Sequence, residues 1–583
     1  PIRRRPSRRQ QRRQQAESDA EHRVLGYRHR PMVSRAPRAW QITLAAVALT
    51  VVGLGAWLRG LTQPWHTNLW TIDWLSYYEA QAEALGSFRL HRWIGSWEGL
   101  HPPVSGAVHG AIMVLGGNLA THWLATVAAG LLAVVLLARP FFDGGRVRAG
   151  FGLLLIVWAA ISPFQANYGL NTSPYPWVLL LCAASTLALL RAEDSGSNRA
   201  WIIAATLTGL ALQTHVLAFA VALAQGLWLL ARGRSFLAAH RPGLLRWAVV
   251  AGLWSLPMVV GSLTRTTDPW TFHIDGGEQS WWSTAAMVFH ERFGARPSAL
   301  ALGGILATGA VGGLALSPRG LPGLLTISVL GWLAALGVFF VGHVADPRLS
   351  HYYLVPHLLG LALGAAGWAE IAERAPLARK GTAAMLALVL AVTGWWAVDA
   401  VGWQLGRRTQ AQTLVAEAGG APDAVRALFL GAGPGDVVAY LWDHQFLNDE
   451  PEYLDPVAAR WPITRLGRPC PEEHPPRGLC NAFGSARFYF DPSAFAGDLW
   501  ELEEPLRMMV NRAQAPGSTR VVLLEGPDRP PHPWPAEVWM AEHGGAQRPL
   551  GPGVRVWEFA AGTRIEPPAH PLSPPDEESD VAP

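Results

Sequence analysis

The feature that most constrains this chain is a series of apolar runs too long and too free of charge for a soluble fold. Residues 40–58 (WQITLAAVALTVVGLGAWL) and 149–166 (AGFGLLLIVWAAISPFQA) show the pattern. Each approaches the roughly 17 to 25 residues that carry a helix across a bilayer. Further runs lie at 119–138, 174–190, 200–214, 216–231, 246–263, 298–317, 321–342, 352–369 and 381–398, about eleven in all. Backbone amides in lipid find no water, so such runs must satisfy themselves as helices. Half of the 583 residues are hydrophobic and 15% are charged, against roughly 25% charged in soluble domains. The 28 Trp residues gather beside the runs, where an amphipathic ring favours the headgroup layer.

Charge between the runs predicts the topology. Segments 139–148 (RPFFDGGRVR), 191–199 (RAEDSGSNR), 232–246 (RGRSFLAAHRPGLLR), 318–320 (PRG) and 373–380 (ERAPLARK) carry Arg, which the positive-inside rule places in the cytoplasm. Alternation then puts 59–118, 164–173, 214–216, 264–297, 343–351 and everything after 400 outside. The scheme closes if the apolar stretch 104–117 does not cross, as suits an interfacial or re-entrant helix of its length. No internal repeat is visible, so an inverted-repeat transporter is not supported.

Residues 1–39 form a basic arm, with seven Arg in the first thirteen positions. Lying ahead of a span and without interleaved aromatics, it reads as a cytoplasmic anchor and not as a nucleic-acid contact. The first apolar run is full length, so an uncleaved first span is expected instead of a signal peptide.

The span-rich region is expected to cover 40–403. Beyond it, 404–565 turns rich in Pro, Gly and charge, with strand-like pieces at Asp436–Leu441 (DVVAYL) and Arg520–Leu524 (RVVLL). Turn signals between them suggest a small extracytoplasmic α/β domain. The acidic, Pro-rich tail 566–583 has the composition of disorder. Cys470 and Cys480 frame a Pro-rich loop and in an oxidising compartment are expected to pair; His474 alone could not complete a four-ligand metal site there. Cys182 sits within an apolar run as packing.

The outside segments carry the reactive side chains. In the first, TIDWLSYYEAQAEALGSFRLHRWIGSWEGLHPPVSGAVHG, helical spacing would put Asp73 and Tyr77 on one face and Glu79 and Glu83 on another. Asp73 could equally cap a juxtamembrane helix. His101 precedes Pro102 and Pro103 at the start of the next apolar helix, which could be no more than a helix-entry position. Asp73, Glu98 and His101 could also supply ligands to a divalent cation, although spacing alone does not specify one.

An acidic residue just past the first span, a Tyr and Ala beyond it, and a His-Pro-Pro opening an apolar helix resemble the first periplasmic loop of the GT-C membrane glycosyltransferases. The protein O-mannosyltransferase-like and aminoarabinose-transferase-like group is the most similar branch. Three later segments are similar in the same order: SPFQANYGLNTSPYPW (Ser162–Trp177), LALQTHVLAFAVALAQ (Leu210–Gln225) and DPRLSHYYLVPHLLG (Asp346–Gly360). The resemblance spans about residues 40–400 and rests on the order and shared side of the motifs. It implies transfer of a sugar from a polyprenyl-phosphate donor to an acceptor (protein, lipid or glycan) at the outer face of the cytoplasmic membrane.

In that family the loop acid is the general base or acceptor orienter, which here is Asp73. A carboxylate at a partly desolvated mouth can be tuned for such work. Arg348, His351 and His215 stand at outer ends of spans as phosphate partners. His215 and His357 could instead only bond a backbone carbonyl, and Arg348 could only snorkel to the headgroups. The chain departs from the family pattern twice. Trp74 follows Asp73 where a second acid is common, leaving Glu79 or Glu98 to serve. Asn167, Tyr168 and Asn171 stand where an Arg is often found. The long loop 264–297, with Asp268, His273, Asp275, Glu278 and Glu291, could cover the cavity as a binding loop or a passive lid. Two other classes remain open on the residues alone: a transporter or flippase for a lipid-linked substrate, and a non-catalytic assembly protein on the same fold.

Overall fold

A computed structural model of the chain describes residues 39–62, 104–115, 119–143, 145–168, 174–263, 296–339, 352–374 and 379–417. Beyond these it describes 437–442, 468–469, 478–480, 486–490, 519–524, 535–551 and 554–566, with Arg507, Val510 and Asn511. Up to residue 417 every described element is helical: α1 Ala39–Thr62, α2 Val104–Val114, α3 Leu119–Phe142, α4 Arg146–Ala160, α5 Pro163–Tyr168, α6 Tyr175–Ser195 and α7 Asn198–Leu212. They are followed by α8 Ala218–Ala231, α9 Arg234–Leu263, α10 Pro297–Leu316, α11 Leu321–Phe339, α12 Leu354–Arg374 and α13 Arg379–Glu417.

Among the described residues, five helices are long and apolar enough to cross a membrane: Thr121–Phe142, Tyr175–Ser195, Pro297–Leu316, Leu354–Arg374 and Ala383–Gly406. Shorter apolar helices lie at Thr43–Leu58, Ala218–Ala231 and Leu321–Leu336. Their outward faces are apolar, with Leu49, Leu124, Val311, Leu330 and Val398 each at least 60% exposed. In water such a surface would drive association; in lipid it is at rest. The chain is a multi-pass membrane protein. The short helix expected at 104–117 is α2, whose 11 residues span roughly 16 Å, about half the hydrocarbon thickness.

Lipid is as apolar as leucine, so these helices are held by close approach and internal hydrogen bonds. α12 is the hub, touching α3, α4, α5, α6, α10 and α11. Its tightest seam is with α10, where Gly309 and Gly313 face Gly364 and Gly367. A methyl group on Gly309 would meet Trp368 Cδ1 at 2.5 Å and the Gly364 carbonyl at 2.6 Å, and one on Gly313 would strike Gly367 Cα. The Trp368 indole N–H reaches the Ile305 carbonyl across this seam at 2.8 Å. Elsewhere Gln225, fully buried on α8, accepts from Thr208 Oγ1 of α7 at 3.0 Å and donates to Ser185 Oγ of α6 at 2.9 Å. One amide thereby ties three helices where water cannot compete.

Two stretches are more helical than composition suggests. The Arg-bearing segment 232–246 is continuous with the following apolar run in α9, because its Arg, Leu and Ala residues are good helix formers. Gly243 lets α9 lie against the buried Trp201 ring. α13 continues to Glu417, through the compositional change at 404, since QLGRRTQAQTLVAE holds one Gly and no Pro.

Among the later described residues seven strands form one sheet in the order β2-β3-β4-β1-β5-β7-β6. They are β1 Val437–Trp442, β2 Arg468–Pro469, β3 Gly478–Cys480, β4 Ala486–Phe490, β5 Thr519–Leu524, β6 Ala546–Gly551 and β7 Val554–Phe559, with α14 Pro535–Glu542 ahead of β6. β1 runs parallel to β4 and β5, while β7 joins β5 and β6 antiparallel. The two expected strand pieces are β1 and β5. The Arg555 guanidinium pairs with the largely buried Glu537 carboxylate, fastening α14 to β7. Cys480 ends β3; Cys470 lies outside the described residues, as does the proposed pairing of the two.

Candidate functional site

Chain direction divides the bundle into two ends. α4, α7, α9, α11 and α13 begin at the Arg-bearing end, and α3, α6, α8, α10 and α12 begin at the other. At the Arg-bearing end the buried Glu370 of α12 receives Arg148 of α4 and, at 2.9 Å, Arg374 Nε of its own helix. Arg232 pairs with Glu193 and donates to the Arg319 carbonyl at 2.8 Å. These bonds bridge helices at the level where their polar connections meet, which is structural work.

Among the described residues the opposite end has one ion pair, a long contact of Arg296 with Asp399 at 3.9 Å, and is otherwise built mainly from neutral side chains. His215 lies in the turn between α7 and α8, fully buried, and its Nδ1 accepts the Leu217 backbone N–H at 3.0 Å. An amide N–H is thus its partner, where sequence reading allowed for a carbonyl. This bond fixes the neutral tautomer: with Nδ1 as acceptor, the ring proton sits on Nε2, and the imidazole acts as a donor. Its ring packs 5.1 Å from Tyr175 at the start of α6 and 5.7 Å from Tyr352 just ahead of α12. The two tyrosine rings meet each other edge-on at 5.3 Å. Three separate chain segments, 174–177, 213–217 and 352–357, are thereby gathered into one buried aromatic cluster.

Two further polar groups border it. On α5, Gln165 Nε2 donates to the Leu354 carbonyl at 3.2 Å and meets His357 Nδ1 at 3.1 Å. On the other flank, the Trp177 indole N–H donates to His109 Nε2 at 3.1 Å, and His109 Nδ1 meets His122 Nδ1 at 2.7 Å. The Val104 N–H bonds the Gln213 carbonyl at 3.2 Å, holding α2 to the His215 turn. Gln404 of α13 reaches the Ile161 carbonyl beside α5 at 2.9 Å. With α3, α6, α8 and α12 all starting here, the partial positive ends of four helices face the same region. The arrangement offers N–H and O–H donors in a positive field with, among the described residues, no buried Arg or Lys, which suits an anionic or oxygen-rich ligand.

Of the residues singled out from sequence, His215 is in this cluster. Asn167 and Tyr168 end α5. Asp73, Tyr77, Glu79, Glu98, His101, Asn171, Arg348 and His351 lie outside the described residues, as does the loop 264–295. In the sequence His101 precedes α2 by three residues, Asn171 precedes Tyr175 by four, and His351 precedes Tyr352 by one. Sequence reading passed over Tyr175, Trp177, Gln165, His109, His122 and Tyr352. Five of these fall inside segments it quoted, and the sixth, His122, is a histidine in an apolar stretch, a polar residue where lipid or core would ordinarily demand none. Among the described residues no group of three or more His, Cys, Asp or Glu side chains could hold a metal ion. The Asp73, Glu98 and His101 set is outside them.

No protein-family model matches the chain, and no curated protein matches it. Among solved structures it is similar to the arabinofuranosyltransferase AftD from mycobacteria, at 16% identity and a TM-score of 0.48, over 91% of this chain and 40% of that one. A mutant of the same protein gives 17% identity and a TM-score of 0.40. The oligosaccharyltransferase of Archaeoglobus fulgidus, in complex with Zn and sulfate, gives 14% identity and a TM-score of 0.38, over 61% of this chain and 53% of that one. The chain spans about half or less of the length of these proteins.

Proposed function

We propose that the chain is a GT-C-like glycosyltransferase that moves a sugar from a polyprenyl-phosphate donor to an acceptor at the outer face of the cytoplasmic membrane. In this reading about eleven spans carry an outside α/β domain at 404–565, and the Arg-bearing end faces the cytoplasm. The observation that supports it most directly is the neutral His, Tyr and Gln cluster gathered by α5, α6, α12 and the His215 turn, at the end opposite the arginines. Every candidate residue in the motifs belongs to a segment that adjoins this end in sequence.

The chemistry follows from the residue types. The acceptor hydroxyl gives its proton to the Asp73 carboxylate as its oxygen attacks the anomeric carbon. The bond from that carbon to the phosphate oxygen breaks, and the lipid phosphate leaves as an anion. Such a leaving group needs charge stabilisation more than protonation, which His215, Arg348 and His351 would supply. Glu79 or Glu98 takes the place of the second acid, while Tyr77, His101, Asn167, Tyr168 and Asn171 hold acceptor or sugar hydroxyls. A divalent cation on Asp73, Glu98 and His101 is compatible with this set, and no step is routed through it.

The test is transfer from a panel of radiolabelled polyprenyl-phosphate sugars by the full chain in lipid nanodiscs. Asp73→Asn should lower the rate at least about hundredfold, the lower range for a general base, with the same amount of folded protein. Unchanged transfer would sink the assignment. Donor lipid crossing sealed vesicles without acceptor would move the chain to the transporter class.

A further inference from the structure

Trp177, His109 and His122 form a line of hydrogen bonds whose direction is forced. Indole nitrogen only donates, so His109 Nε2, 3.1 Å away, must be the acceptor. The His109 proton then sits on Nδ1. Its contact with His122 Nδ1 is 2.7 Å, shorter than a face-to-face stack permits, and the rings lie 16° from parallel with centroids 5.0 Å apart. The two imidazoles therefore meet edge to edge, His109 donating and His122 accepting. With its Nδ1 occupied as an acceptor, His122 carries its own proton on Nε2.

That last N–H has no partner among the described residues. His122 is fully buried, and among the described residues nothing accepts from Nε2. The neighbouring helix adds a second vacancy, since the buried Ser105 hydroxyl, one turn before His109 on α2, is also unpartnered. An orphaned buried donor is costly, and native proteins rarely keep one without use. Three donors in series polarise one another, which strengthens the terminal N–H. His122 is also the fourth residue of α3, within the helix's positive end. In this tautomer Nε2 cannot ligate a metal. It is a strengthened neutral donor in a positive field, and the acceptor it suits best is an anionic oxygen.

The geometry points to His122 Nε2–H as a phosphate-binding donor, oriented by Trp177 through His109, that recognises the phosphate of a lipid-linked ligand, a diester in the sugar donor and a monoester in the released lipid phosphate. This deepens the proposed use of a polyprenyl-phosphate donor and rests on that reading for the lipid. Trp177 and His109 are positioning residues: they touch no ligand and act by holding one tautomer.

The experiment uses the full chain in nanodiscs, with farnesyl phosphate, farnesol and inorganic phosphate as probes and ¹⁵N-labelled histidine as reporter. His122 should show the Nε2–H tautomer before ligand is added, and farnesyl phosphate should shift that nitrogen. His122→Phe should weaken farnesyl phosphate binding about tenfold or more, the usual range for a hydrogen bond to a charged group. His122→Gln, which keeps an N–H near the same place, should recover part of it. Trp177→Phe should release the tautomer and give a smaller loss. A response to inorganic phosphate as strong as to farnesyl phosphate supports the oxyanion site and assigns it to free phosphate. Equal binding of farnesol and farnesyl phosphate, an Nδ1–H tautomer at His122, or unchanged affinity in His122→Phe would overturn it. Loss of transfer in Asp73→Asn alongside unchanged binding in His122→Phe would refute this inference and leave the proposed function standing.

Discussion

The two ends of the helix bundle solve the same problem with opposite chemistry. Both must join helices where apolar packing gives way to polar connections. One end does so with full charges: Glu370 between Arg148 and Arg374, and Glu193 with Arg232. The other relies on neutral donors and acceptors around His215, Gln165 and the Trp177 to His122 line, and its Arg296–Asp399 contact is long, at 3.9 Å, and partly exposed. Charged pairs are strong when complete and costly when broken, so they fix a structure and tolerate no exchange of partners. Neutral hydrogen bonds hold less firmly and leave a site into which a charged ligand can bring its own partner. In the proposed function the charged end is the scaffold and the neutral end the working surface.

This contrast can be broken most forcefully at the scaffold end. Glu370→Gln leaves Arg148 and Arg374 facing each other, and should destabilise the chain by about 3 kcal/mol. The figure is at the low end for a buried pair, because Arg148 keeps a 3.7 Å contact with Glu373 and both arginines are part-exposed. Denaturation in mixed micelles measures it, and transfer per folded molecule should not change; a selective loss of transfer would erase the distinction between the ends. Next in size is the glycine seam between α10 and α12. Gly313→Leu drives a side chain into Gly367 and should cost about 2 kcal/mol through overpacking, visible in the same denaturation experiment and accompanied by weaker coupling of α10 to α12 in cysteine cross-linking.

The smallest stability effect is expected at the working end. His215→Phe removes the bond to the Leu217 amide and should cost only about 1 kcal/mol, yet lower transfer far more than Glu370→Gln does. His215→Asn, whose side-chain oxygen can accept from the same amide, should restore stability without restoring transfer. Equal recovery of both would make His215 a turn-forming residue and nothing more.

Much of the helical frame was legible because lipid enforces it: an apolar run of sufficient length has no form but a helix. The runs at 174–190, 200–214, 216–231 and 352–369 correspond to α6, α7, α8 and α12. The extent of α9 and α13 was harder to see, since polarity was read as a boundary, although Arg, Gln and Leu continue a helix in water as well as in lipid. The site was less legible still. Of the residues marked from sequence, His215 joins the buried cluster, and its role there turns on one amide bond. Tyr175, Trp177 and Tyr352 were overlooked because an aromatic near a span end reads as a headgroup anchor. His109 and His122 are thirteen residues apart and meet only because α2 folds back onto α3.

The sequence by itself determined that the chain crosses a membrane several times, since hydrophobic length and charge placement are local properties of the sequence. It also marked which connections hold arginine and which hold histidine, tyrosine and acid. The tertiary structure decided which of those side chains meet. Hydrogen-bond direction, tautomer and the vacancy at His122 Nε2 depend on distances of about 3 Å between helices remote in sequence, and no periodicity in a single chain encodes them.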